Sequence, residues 1–149
     1  MKFSEGFWET RHGASRMFAR QAYDIETVDE ILVITAPTRV LVHRSYTTDQ
    51  PALTVTLSSP MENVVAVKVE HYSGGLQPTG FEIDRNQAVS VSIQTDPDTA
   101  SLRSGCLTAR IARGAPWSLS FEANEKILTK SGRNSLGYVQ LSDDAHVDG

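Results

Sequence analysis

The sequence lacks a second cysteine: Cys106 stands alone in 149 residues. No internal disulfide can form, so packing must hold the fold together. Long apolar runs are missing too. Nothing approaches the ~20 apolar residues of a membrane-spanning helix. The opening residues, Met1-Lys2-Phe3-Ser4-Glu5-Gly6-Phe7-Trp8-Glu9-Thr10-Arg11, carry charges where a secretory signal needs an unbroken apolar segment. Charge of one sign is not gathered into blocks: 14 Lys and Arg stand against 18 Asp and Glu, a formal net charge of -4. Duplex nucleic acid calls for a clustered basic face that releases counterions. These absences predict a cytoplasmic chain with neither a nucleic-acid nor a membrane partner.

What is present is alternation. Leu107, Ala109 and Ile111 share one face of a strand pattern, with Thr108 and Arg110 on the other. After a Gly114-Ala115-Pro116 corner, Trp117, Leu119 and Phe121 alternate with Ser118 and Ser120. The spacing predicts an antiparallel pair with one wet face. Ala22 to Thr27 and Ile31 to Ala36 read as a hairpin around Asp29, ended by Pro37. The apolar run Ile31 to Ile34 predicts a strand covered on both faces. Leu53, Val55 and Leu57 pair across a turn at 59–63 with Val65, Val67 and Val69.

Arg39 to Tyr46, Phe81 to Asp84, Val89 to Ile93, Ala100 to Ser104, Lys126 to Thr129 and Leu136 to Leu141 read as further strands, and Ser15 to Ala19 as a short helical turn. Roughly ten short strands with turn chemistry every 8 to 12 residues predict an all-β fold, an antiparallel β-sandwich. One domain over residues 1–141 buries roughly two thirds of the surface of its unfolded chain. Residues 142–149 are polar and acidic, a tail or the start of a linker.

Reactive chemistry leaves little trace. His12, His43, His71 and His146 are too dispersed for a local metal motif, and a phosphate cradle and a Gly-x-Ser-x-Gly elbow are both absent from the sequence. No cofactor and no metal is expected. His71 follows Val69 on the inward register and reads as a partly buried, hydrogen-bonded side chain. Cys106 falls inside a strand pattern and reads as core packing. Glu82 with Asp84, and Asp143 with Asp144, read as solvated carboxylates rather than the facing pair that glycoside hydrolysis requires. Trp8, Tyr46, Tyr72 and Trp117 are candidate sugar-stacking platforms for a stand-alone carbohydrate-binding module. Trp117, in register with Leu119 and Phe121, fits the core better. Trp8 and Tyr72 remain as candidate substrate-binding residues, and no catalytic residue is assigned.

Several segments, in this order and spacing, carry a family resemblance. They are Lys2 to Trp8, Tyr23-Asp24-Ile25-Glu26, Ala36-Pro37, Ser59-Pro60 with Val64-x-x-Val67, His71-Tyr72-x-Gly74-Gly75, Ser104 to Phe121, and Gly137-Tyr138-Val139-Gln140. Together they resemble the amino-terminal region of glycoside hydrolase family 31 enzymes of the α-xylosidase type. The resemblance implies a galactose mutarotase-like β-sandwich that precedes a catalytic (β/α)8 barrel. That barrel supplies an aspartate nucleophile and an aspartate acid/base and releases α-linked xylose with retention. The expected partners are then the catalytic barrel of the same parent chain and, through it, a xyloside carbohydrate. A sandwich continuing past residue 149 would leave strand edges unpaired, which predicts a homo-oligomer formed through an edge or an open sheet face.

Overall fold

The alternating segments find partners in three antiparallel sheets. The computed structural model describes residues 14–43, 51–71 and 89–141. Strands β2 (Asp24–Val28), β3 (Ile31–Pro37), β4 (Ala52–Ser58) and β5 (Ala66–Glu70) form a four-stranded meander in sequence order. Strands β6 (Val91–Thr95), β7 (Thr99–Ser104), β8 (Leu107–Ala112), β9 (Leu119–Ala123) and β10 (Lys126–Ser131) form a five-stranded one. A two-stranded ribbon joins β1 (Ala14–Phe18) to β11 (Gly137–Leu141). The predicted all-β sandwich is the observed architecture.

Register explains the core. Leu32, Ile34 and Ala36 of β3 stand opposite Leu57, Val55 and Leu53 of β4, so six apolar side chains line one face. From the other sheet, Ala100, Leu102, Ala109, Ile111 and Leu119 are likewise buried. The two layers meet where β3 packs against β7. At one end of this core Trp117 is 1% exposed. Its indole Nε1 donates to Ser131 Oγ at 3.2 Å, and its backbone N–H donates to the Arg20 carbonyl at 2.8 Å. Its predicted core role is thus the observed one, with the polar edge of the ring satisfied.

A polar tie closes the opposite end of the layers. Ser104 at the end of β7 is fully buried, with its Oγ 2.8 Å from Ser59 Oγ just after β4. Next to it, Gly105 turns the chain at φ +57°, and a Cβ there would run into the Asn63 side chain. Asn63 Oδ1 accepts the N–H of Cys106 at 2.7 Å. The β4–β5 turn therefore docks on the β7–β8 turn, a position only glycine fits.

Five expectations change. Residues 14–18 form strand β1 rather than a helical turn, because each pairs with a residue of β11. Residues 39–43 form no strand: after Pro37 the chain leaves the sheet, and the Leu41 N–H bonds to the Gln21 side chain, not to a ladder. Cys106 is exposed at the two-residue turn between β7 and β8, one position short of the strand. The run Ile31 to Ile34 is fully covered on one face only, since Ile31 and Val33 stay half-buried on the outer side of the sheet. His71 is exposed rather than partly buried, and stacks on Tyr138 with ring centroids 4.1 Å apart. The predicted strand at Phe81 to Asp84 and the tail 142–149 lie outside the described residues.

Candidate functional site

The wet face of the five-stranded sheet is the candidate site. Period two sends Ala100, Leu102, Ala109 and Ile111 to the core. The same alternation sends Ser92 and Gln94 of β6, Ser101 and Arg103 of β7, and Thr108 and Arg110 of β8 to the opposite side. There they line a concavity of about 630 Å³ that Glu62 also borders. Its size falls in the roughly 300–1,000 Å³ range of small-molecule sites. Its lining is unusually polar for such a site. Hydroxyl, amide and guanidinium groups in a row suit a polyhydroxylated ligand, which offers both donors and acceptors.

Two of these groups are already held in place. Arg103 Nε donates to the Gly105 carbonyl at 2.9 Å, which fixes the guanidinium over the turn. Arg110 Nε meets Glu122 Oε2 at 3.4 Å, and Ser120 Oγ donates to Glu122 Oε1 at 2.7 Å. Glu122 is thus engaged as an acceptor on the neighbouring strand. Among the described residues Glu62 is the single carboxylate lining the concavity. A retaining glycosidase needs two carboxyl groups facing each other at ~5–5.5 Å. The described lining offers hydrogen-bond donors and acceptors but does not present that pair. Among the described residues no group of three or more His, Cys, Asp or Glu side chains is placed to hold a metal ion.

The turn between β6 and β7 fixes how those two strands present their outer residues. Asp96 Oδ1 accepts the Thr99 N–H at 2.7 Å and the Asp98 N–H at 2.9 Å, and its Oδ2 accepts the Thr99 hydroxyl at 2.9 Å. These bonds, the Thr99 N–H foremost, favour the carboxylate and hold its pKa below the usual 3.8. A depressed native pKa contributes stability above the unfolded value that is lost as pH falls through the native one. Asp96→Ala is therefore expected to lower the thermal midpoint at neutral pH. The gap from the parent chain should close as the pH falls below 3.8. A series of melting curves across that range checks it; a gap constant with pH would contradict the turn's ionised form.

The sugar-platform candidates Trp8 and Tyr72, and Tyr46 with them, lie outside the described residues. Trp117 is buried and cannot act as a platform. Among the described residues no aromatic side chain lines the concavity. The sequence alone does not mark the concavity. Its signal was present as the polar partners of each alternation, but period two marks these only as outward-facing, not as gathered around a hollow.

No family model matches the chain. Among curated proteins it is similar to two alpha-xylosidases. It is 30% identical over 131 residues to alpha-xylosidase XylQ of Lactiplantibacillus pentosus, covering 88% of this chain and 17% of that protein. To an alpha-xylosidase of Emericella nidulans it is 29% identical over 161 aligned positions, covering 96% of this chain and 20% of that protein. The chain spans about a fifth of the length of these relatives. The resemblance to α-xylosidases drawn from its motifs is borne out.

Proposed function

We propose that this chain is the amino-terminal, non-catalytic sandwich of a retaining family 31 α-xylosidase, galactose mutarotase-like in fold, which shapes the substrate entrance while the rest of the polypeptide supplies the chemistry. One observation carries the reading: two α-xylosidases match this chain along 88% and 96% of its length, yet it accounts for only 17% and 20% of theirs. Such a relation is that of a part to a whole. The same division of labour is supported by the concavity, whose described lining is polar and suited to a sugar but holds one carboxylate rather than the pair that cleaves it. In the cytoplasm the parent enzyme would act on α-linked xylosides, needing no cofactor.

If the concavity lies on the substrate path, its outer side chains bind sugar similarly in ground and transition states. Uniform binding of that kind shows in KM and not in kcat. Ser92→Ala and Gln94→Ala, introduced together into the full-length polypeptide, are expected to raise KM for an α-xyloside about three- to tenfold and leave kcat within about twofold. Neither side chain is buried, so folding should be spared. Steady-state kinetics decides the matter; an unchanged KM would remove this face from the substrate path.

A further inference from the structure

Four arginines from three separate segments of the chain converge at the junction of the ribbon with the end of β3. Arg16 in β1, Arg20 just after it, Arg39 beyond β3 and Arg133 in the β10–β11 turn line one concavity of about 660 Å³. No described acidic residue lines it. The ion pairs of the described residues, Lys68 with Glu70 and Arg110 with Glu122, lie elsewhere. Arg20 Nη1 donates to Asn134 Oδ1 at 2.7 Å, a neutral acceptor, and its guanidinium lies 5.9 Å from the Phe18 ring centroid, so no described carboxylate offsets its charge.

The ribbon adds an apolar half to this surface. Arg16 pairs with Val139 and Ala14 with Leu141, so these four side chains share one face. Met17 and Tyr138 take the opposite face, where Tyr138 packs against the core. On the outer face Val139 is 57% exposed and Leu141 59% exposed. A two-stranded ribbon is marginal by itself, and apolar groups on both its faces call for two covers. Arginine beside exposed aliphatic side chains is the composition of a protein interface, where the guanidinium pairs with carboxylates at the rim of an apolar patch.

We propose that this surface docks an acidic face of the remainder of the parent polypeptide. The inference rests on the α-xylosidase reading above, which places about four fifths of the molecule outside this chain. An apolar pair on the ribbon face that carries Arg16 favours a folded protein face over a small free anion. The docked carboxylates neutralise the four guanidiniums, and Val139 and Leu141 become buried.

Charge reversal separates docking from folding. Arg39 and Arg133 are both exposed, and no described residue pairs with either. Arg39→Glu with Arg133→Glu is compared with Lys126→Glu with Lys130→Glu, an equal change of charge on the exposed strand β10. In the full-length polypeptide the arginine pair should speed thermolysin release of this segment about tenfold, while the lysine pair leaves it unchanged. In the isolated 149-residue chain the arginine pair should leave the thermal midpoint unchanged or raise it, since like charges are relieved. Full-length protein that is cleaved at the parental rate, or an isolated chain destabilised as much as the whole, would overturn the docking surface. A full-length polypeptide without α-xyloside hydrolysis would instead overturn the functional reading beneath it.

Discussion

Trp117→Ala is expected to destabilise the isolated chain by about 3–5 kcal/mol, the range for truncating a large buried aromatic. The indole fills the end of the core beside Leu119 and Ile111 and is 1% exposed. Removing it leaves a cavity between two sheets whose backbones are fixed by their ladders and cannot collapse inward. It also strips Ser131 Oγ of its indole donor. A domain of this size has about 5–15 kcal/mol in total, so the midpoint should fall by roughly 10–20 °C. Trp117→Phe keeps much of the volume but not the donor, and should fall between the two. Urea titrations of the three proteins give the order; an alanine variant within about 1 kcal/mol of the parent would mean that the layers are not packed through this residue.

Local alternation was enough to reveal the central strands. Leu107, Ala109 and Ile111 repeat every second residue and pair with β7 across a two-residue turn, and Leu53, Val55 and Leu57 repeat likewise and pair with β5 across residues 59–65, so pattern and topology agree. Ser15 to Ala19 has no such repeat and by itself suggests a short helical turn. The extended form of β1 comes from pairing with Gly137–Leu141, more than a hundred residues on. The reverse holds for Val40 and Val42, whose strand-like composition finds no ladder and remains exposed. Cys106 was misplaced by one position. Gly105 turns the chain at a positive φ, and Asn63 occupies the space a side chain there would need, a contact between segments about forty residues apart.

The candidate surfaces were less legible for the same reason. Each outward residue of the concavity reads singly as a solvated polar side chain, and only the twist and curvature of a five-stranded sheet gather Ser92, Gln94, Ser101, Arg103, Thr108 and Arg110 around one hollow. The arginine surface is less visible still. Positions 16, 20, 39 and 133 share no local motif, and it is the ribbon's attachment to the end of β3 that joins them. The outward faces of strands are thus where sequence pattern says least and topology decides most.

The largest functional effect follows from the proposed division between scaffold and chemistry. Positioned acid and nucleophile groups supply most of a glycosidase's acceleration, and the described concavity lacks the facing carboxyl pair on which that acceleration depends. Binding alone, without that pair, does not lower the barrier to glycosidic cleavage. The direct measurement is release of xylose from an α-xyloside by the purified 149-residue chain, run beside the full-length polypeptide under the same conditions. The account predicts turnover by the full-length protein and none above the uncatalysed rate by the isolated chain. Sustained xylose release by the isolated chain would contradict it.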